Sequence, residues 1–214
     1  MVDKKAEILK CGKQLFIMKG FKNTNVAEIT KMAGMATGTF YNYYPSKEKL
    51  FMEIYLEENA KLKKSIMDSL DHDAGPMKVM MDMLAANYEG MSSNPILKEW
   101  YNRDVFNRIE RNFREENGLE NVDFLYESFI ELVREWQKTG KMRNDIDAGM
   151  IMAIFAAITN VDLHKEEVGL KYFPDVLQYL GEFVMKGLMD TSGNQSSEYG
   201  EKQARENQVR TKQK

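Results

Sequence analysis

Hydrophobic side chains recur at helical spacing along nearly the whole chain, and no stretch shows the two-residue alternation of a strand. The cleanest stripe consists of Val122, Leu125, Tyr126, Phe129, Leu132, Val133 and Trp136. Glycine, proline and asparagine interrupt the pattern and divide it into about nine helices. We predict these helices at about residues 3–19, 25–33, 37–44, 47–70, 77–91, 96–116, 122–139, 147–163 and 172–189. The predicted fold is therefore all-α.

The second and third predicted helices are short and lie close together in sequence. Asn25 and Glu28 have the spacing of a capping box, so Asn25 begins the second helix and Gly34 ends it after about two turns. A two-residue turn precedes the third helix, which Pro45 ends. Two short helices joined by a tight turn, with a longer helix on either side, indicate a helix-turn-helix whose third helix enters the major groove of DNA.

The third helix is expected to have two distinct faces. Phe40 and Tyr44, four positions apart, should pack inward against the first two helices. Asn42 lies on the opposite side, where its amide can form paired hydrogen bonds with the edge of an adenine. The other candidates for DNA contact near this face are Thr24, Asn25, Thr37, Gly38, Tyr41, Tyr43 and Lys47. The tyrosines have a second interpretation, a hydrophobic cluster that closes a small domain, which we favour for Tyr44 only.

Charge is distributed unevenly along the chain. Residues 1–47 hold eight lysines against three carboxylates, a net charge of +5, whereas the remaining 167 residues hold 22 basic and 30 acidic side chains, a net charge of −8. A basic end on an acidic body favours an anionic partner for that end. The alternative is a chance clustering of solvated lysines.

Two segments carry a specific resemblance. The stretches from Gly20 to Gly34 (GFKNTNVAEITKMAG) and from Gly38 to Lys47 (GTFYNYYPSK) resemble the DNA-binding domain of the TetR family of bacterial transcriptional regulators. The resemblance implies a homodimer that binds a palindromic operator on double-stranded DNA and is released by a small-molecule effector. The DNA-contacting positions that it implies are Thr24, Asn25, Ala27, Thr37, Gly38, Thr39, Tyr41, Asn42, Tyr43 and Lys47.

Two positions depart from the family pattern. Ala36 occupies the place of the usual serine cap before the recognition helix, so Thr37 is a candidate to take over that cap. Ala27 replaces a longer polar residue and can offer only an apolar contact, such as one to a thymine methyl group.

The C-terminal half contains a helix that is apolar nearly all round, from Ala148 to Ile158. Such a helix must be buried on both sides, so we expect it to pair with the last helix and with a second copy of that pair in a homodimer. The predicted interface residues are Met150, Ile151, Ile154, Ile158, Phe173, Leu177, Leu180, Val184 and Leu188. The alternative is burial inside one large monomer core.

An effector pocket is a further expectation for this half. Aromatic side chains that can line it are Trp100, Tyr101, Phe106, Tyr126, Phe129 and Phe155. These residues have the alternative interpretation of plain core. If the pocket exists, an apolar or aromatic effector is expected. A regulator that binds DNA without a ligand, or an activator, is the alternative function.

The sequence argues against an enzyme and against a metal site. His72 and His164 have no second histidine near them, and no ligand spacing, phosphate-binding loop or nucleophile motif occurs. We expect no catalytic residue, no metal and no cofactor. Cys11 is the single cysteine, which suggests a reducing compartment.

The longest apolar run is too short to span a bilayer, so we expect a cytoplasmic protein that does not bind membranes. The predicted domains are a helix-turn-helix domain at 1–47, a helical effector-binding and dimerisation domain at 48–190, and a flexible polar tail at 191–214.

Overall fold

The computed structural model describes residues 3–71, 73–115 and 123–193, of which 110–115, 123–126, 162–163 and 193 are described by backbone alone. Its α-helices are α1 (Lys4–Lys19), α2 (Val26–Met32), α3 (Thr37–Tyr41), α4 (Lys47–Ser69), α5 (Pro76–Ser93), α6 (Arg103–Glu115), α7 (Asp123–Lys138), α8 (Ala148–Asn160), α9 (Lys165–Val168) and α10 (Asp175–Met189). Short 3-10 helices lie at Leu97–Tyr101, Val161–His164, Leu170–Tyr172 and Thr191–Gly193.

The all-α prediction is confirmed. The described residues contain no strand, and they contain ten α-helices where about nine were predicted.

The predicted helix at 96–116 is wrong as a single element. Asn94 Oδ1 accepts hydrogen bonds from the backbone N–H groups of Ile96 (2.8 Å) and Leu97 (3.3 Å), and this starts a 3-10 helix. Asn102 then adopts an extended conformation (φ −84°, ψ 105°), so α6 begins only at Arg103. The hydrophobic spacing continues across this break, which is why the periodicity alone did not reveal it.

Two other predicted boundaries were also wrong. α3 ends at Tyr41 and not at Tyr44, because the backbone N–H groups of Tyr43 and Tyr44 both bond to Phe40 O at 3.0 Å. The last long helix begins at Asp175 and not at residue 172, since Pro174 occupies its N-cap position. The predicted tail at 191–214 lies outside the described residues except for Thr191–Gly193.

The chain divides into two compact units: one comprises the chain up to Ser69 with Ala85–Leu125, and the other comprises Leu70–Leu84 with the chain from Tyr126 onward. In the first unit α1, α2 and α4 surround an aromatic cluster. Phe51 meets Phe16 edge-on at 5.1 Å between ring centroids and Phe21 at 4.9 Å. All three rings are fully buried, so this cluster fixes the N-terminal helices on the start of α4.

The second unit has its own core. Its buried side chains include Val79, Met80, Phe129, Val133, Trp136, Met142, Ile151, Phe155, Met185 and Leu188. The loop between α7 and α8 is fixed by hydrogen bonds to backbone carbonyls: Arg143 N–H donates to Leu188 O (2.8 Å), and the Gln137 side chain donates to the carbonyls of Arg143 and Ile146. Within this unit α8 packs against α10. No helix of the described ranges is both long and apolar enough to cross a membrane.

Candidate nucleic-acid interface

The turn between α2 and α3 is tightly organised. Asn25 Oδ1 accepts a hydrogen bond from the Glu28 N–H at 2.9 Å, which caps α2 as predicted. Gly34 has a φ of +67°, a conformation that favours glycine, and Met35 N–H returns to Thr30 O at 2.8 Å. α3 therefore starts at Thr37, two residues after the end of this turn at Met35.

Thr37 does not act as the cap of α3. Ala36 holds the N-cap position and makes no side-chain cap bond, because a methyl group has no acceptor. The Thr37 hydroxyl instead lies 3.4 Å from the Thr30 hydroxyl of α2. This contact links the two helices through their side chains at the point where they approach each other.

The two faces of α3 are separated as the sequence predicted. Phe40 is completely buried and Tyr44 nearly so, and their rings lie 5.7 Å apart. Tyr41 is 57% exposed and Tyr43 is 40% exposed. Five more of the predicted DNA-contacting residues are exposed, namely Asn25, Ala27, Thr37, Gly38 and Asn42, and Thr39 is partly exposed. A short helix is thus fixed by one buried ring and presents small, polar and aromatic groups to solvent.

Thr24 and Lys47, two other predicted contact residues, point into the protein. Thr24 is 1% exposed and its hydroxyl donates to Gly20 O at 2.9 Å. The Lys47 ammonium group donates to Phe21 O and Thr24 O, both at 2.7 Å, and lies 4.2 Å from the centroid of the Phe21 ring. Burial lowers the pKa of Lys47 from its ordinary value. Both side chains therefore organise the turn between α1 and α2.

The same turn is also held by residues far away in sequence, which the sequence analysis missed. Glu99 Oε1 accepts the Phe21 N–H at 2.9 Å, and Lys22 pairs with Asp104. The Arg108 guanidinium group lies 5.6 Å from the Phe21 ring centroid and 3.1 Å from a Glu48 carboxylate oxygen. The local sequence gives no sign of these contacts, because they depend on how the 3-10 helix at Leu97–Tyr101 and α6 pack against α4.

The aromatic residues predicted to line a pocket fall in different units. Trp100 stacks on Tyr55 at 5.2 Å and meets Phe106 edge-on at 4.8 Å; these rings belong to the first unit, as does Tyr101. Phe129 and Phe155 are buried in the core of the second unit. The Tyr126 side chain lies outside the described residues.

The predicted interface residues, which lie on α8, on α10 and at Phe173 just before α10, differ in exposure. Ile151, Ile158, Leu177 and Leu188 are buried within their own unit, whereas Met150 is 54% exposed; Ile154, Phe173, Leu180 and Val184 are partly exposed. The most exposed apolar side chains of α10 are Tyr179 and Phe183, whose rings stack at 6.1 Å. The sequence analysis did not select these two aromatic residues, because a helix that is apolar on several sides does not reveal which stripe its own core uses.

Comparisons with known proteins agree with this geometry. Residues 8–54 match the family profile described as "Bacterial regulatory proteins, tetR family". The chain is 21% identical over 188 residues to the HTH-type transcriptional repressor KstR2 of Mycolicibacterium smegmatis, covering 80% of this chain and 87% of that one.

Two solved structures share the fold. RolR, whose complex with the ligand resorcinol has been solved, superposes with a TM-score of 0.66 at 16% identity and covers 91% of each chain. FadR of Thermus thermophilus, a transcriptional repressor solved in complex with lauroyl-CoA, superposes with a TM-score of 0.60 at 22% identity, covering 85% of this chain and 91% of that one.

Proposed function

Because the chain belongs to the TetR family of bacterial transcriptional regulators, which bind DNA and are not enzymes, we propose that it is a homodimeric repressor released from a palindromic operator by a small molecule. The observation that carries the DNA-binding part is the outward face of α3. Its polar and aromatic groups stand on a fully buried Phe40, so the helix has a fixed orientation and a surface of the right chemistry for a major groove.

We assign different roles to the groups on this face. The Asn42 amide reads a base edge, and the hydroxyls of Tyr41 and Tyr43 bind phosphates on either side of it. Gly38 and Thr37 allow close approach at the start of the helix, and Ala27 and Asn25 extend the contact surface on α2. Thr24 and Lys47 support this surface through the α1–α2 turn.

The experiment begins with genomic footprinting of the purified protein, which identifies the operator. Asn42→Ala is then expected to lower the preference for the operator over random DNA by about 1–3 kcal/mol. Tyr41→Phe is expected to weaken binding to both DNAs by the same factor, since a phosphate contact carries no sequence information. Met18→Ala is the control, because Met18 on α1 is also exposed (71%) and is not one of the predicted DNA contacts. Equal losses on operator and random DNA in both test variants would contradict this division of roles.

We assign the homodimer interface to the exposed apolar faces of α8 and α10. Tyr179 and Phe183 on α10 and Met150 on α8 are all more than half exposed, and a twofold copy of this helix pair would bury them. Phe183→Glu is expected to shift the dimer towards monomer in sedimentation experiments. Leu170→Glu is a matched control, because Leu170 is 61% exposed and Phe183 62%. Similar sedimentation of both variants would exclude this face.

Effector binding is expected to act by changing the separation of the two α3 helices. Two recognition helices enter successive major grooves when they lie about 34–36 Å apart, so a ligand that favours another separation lowers operator affinity. α4 joins the DNA-binding helices to the aromatic cluster of Tyr55, Trp100 and Phe106, which supports an apolar or aromatic ligand body. The proposal is supported by two proteins of similar fold, since RolR has been solved with resorcinol, a phenol, and FadR with lauroyl-CoA, an acyl thioester. A footprint that no metabolite extract alters would favour the alternative, a regulator that works without a ligand.

A further inference from the structure

A line of polar side chains runs along the inward face of α4. Tyr55, Asn59 and Lys63 are spaced four residues apart, so they share one side of the helix. Tyr55 is 3% exposed and Asn59 is 9% exposed. Lys63 is partly exposed as a whole residue, but its ammonium end is surrounded by protein, and this burial lowers its pKa to about 8. A buried ammonium group is therefore placed one turn beyond a buried amide.

Lys63 differs from the lysines beside it in its partners. Lys61 pairs with Glu57 and Glu58, and Lys64 lies 3.6 Å from a carboxylate oxygen of Asp68. Among the residues whose side chains the structure describes, Lys63 has no carboxylate partner, and its ammonium group donates to the Asn87 side-chain oxygen on α5. A buried charge without a counterion is costly, because a neutral amide oxygen compensates only part of the lost hydration.

The surroundings of Lys63 fit an anionic group. An ammonium group has three donors, and within the described part of the chain one of them is used, by Asn87. The Asn59 amide forms no hydrogen bond with any described residue, so its N–H groups are free to donate to the same anion. Two turns before Lys63 on α4, the buried ring of Tyr55 stacks on Trp100, which is partly exposed and supplies an apolar surface.

We propose that the effector is an amphipathic organic anion, whose carboxylate or phosphate group binds Lys63 and Asn59 and whose apolar body extends along α4 towards Trp100. The proposal rests on the ligand-responsive function proposed above and gives it a ligand class. It also places the binding event on the helix whose first residue, Lys47, holds the α1–α2 turn of the DNA-binding region.

The test compares acids with their neutral amides on the full chain. The probes are octanoate and octanamide, phenylacetate and phenylacetamide, and octanoyl-CoA, which carries phosphates in place of a carboxylate. Affinity is measured by calorimetry, and release of a labelled footprinted operator by fluorescence anisotropy. At least one of the anionic probes is expected to bind the wild-type protein and to release DNA. The matching neutral amide, which is octanamide for octanoate and for octanoyl-CoA, is expected to bind about tenfold to a hundredfold more weakly. The arm that binds identifies the carboxylate or the phosphate as the source of the anion.

Lys63→Met is expected to remove that tenfold to hundredfold preference for the anion, and Lys63→Arg to retain most of it, because the charge is kept. Lys64→Met is the matched control, since Lys64 lies next in sequence and is 65% exposed. Equal binding of acid and amide by the wild-type protein, binding of none of the anions, or equal effects of Lys63→Met and Lys64→Met would each overturn the assignment. Operator binding without probe is recorded for every variant. A wild-type protein that leaves no footprint on genomic DNA would refute the proposed function instead.

Discussion

Replacing Lys47 with alanine distinguishes two roles for its ammonium group, a direct bond to a DNA phosphate and an internal bond to the α1–α2 turn. The sequence predicted the phosphate contact, because Lys47 ends the segment that resembles the DNA-binding domain of the TetR family. In the structure the ammonium group donates to two backbone carbonyls, Phe21 O and Thr24 O, and lies over the Phe21 ring. We expect the internal role to dominate, because these carbonyls lie where the chain turns and would lose their charged donor.

The magnitude follows from the bonds that are lost. A hydrogen bond with a charged partner contributes about 1.5–3 kcal/mol, and two are lost in Lys47→Ala together with a contact to an aromatic ring. The group is partly dehydrated in the folded protein, as its lowered pKa shows, and this offsets some of the gain. The expected decrease in the free energy of unfolding is about 2–4 kcal/mol. Lys47→Met should lose less, because its stem still covers the ring.

Urea denaturation measures the stability, and operator affinity at several salt concentrations measures the phosphate contact. Loss of one phosphate contact reduces the salt slope by about 0.9, whereas loss of an internal bond leaves the slope unchanged. Lys31→Ala, on an exposed lysine of α2, is the control and should change the stability by less than about 0.5 kcal/mol. A Lys47→Ala protein of wild-type stability, with a salt slope reduced by about one, would refute the internal role.

Three further variants test other parts of the structure. Gly38→Ala should stabilise the protein by up to about 1 kcal/mol in urea denaturation, because an added Cβ meets nothing within 4 Å in the free protein. The same change should weaken operator binding in fluorescence anisotropy, because the added Cβ would contact the DNA. Asn25→Ala should lower the free energy of unfolding by about 1 kcal/mol in urea denaturation through loss of the α2 cap. Lys63→Met should raise it by up to about 3 kcal/mol below pH 8, since folding lowers the pKa of Lys63 from 10.5 to about 8; loss of the hydrogen bond to Asn87 offsets part of this gain. This gain should shrink as the pH rises from 8 towards 10.5, where the unfolded wild-type chain also loses its proton; a gain that does not vary with pH would contradict the explanation.

The sequence was sufficient for the local features of the DNA-binding helices. Asn25 as a cap, Gly34 as the left-handed turn residue and Phe40 as the inward anchor all follow from short-range rules, and the structure has each of them. The break at Asn102 was missed because a 3-10 helix followed by an α-helix keeps the apolar spacing of one long helix.

Tertiary contacts explain the remaining differences. The direction of the Lys47 side chain depends on two carbonyl groups more than 20 residues earlier, and a long flexible side chain carries no sign of its partner in the sequence. On α10, hydrophobic residues occupy several stripes, and only the packing against α8 shows that Leu177 and Leu188 are internal while Phe183 is exposed. Periodicity predicts that a helix is buried, but not by which neighbour.

The bond from Glu99 to the Phe21 N–H and the ion pair of Lys22 with Asp104 have a practical consequence for protein engineering. The DNA-binding helices α1–α3 do not form all their contacts among themselves, because side chains about 80 positions further along the chain complete the α1–α2 turn. A chimera that transplants only the N-terminal helices onto a foreign sensor would therefore leave an amide hydrogen and a surface cation without their acceptors. A chimera designed to exchange DNA specificity between such regulators would be more stable if the segment from Leu97 to Arg108 were transplanted together with the N-terminal helices.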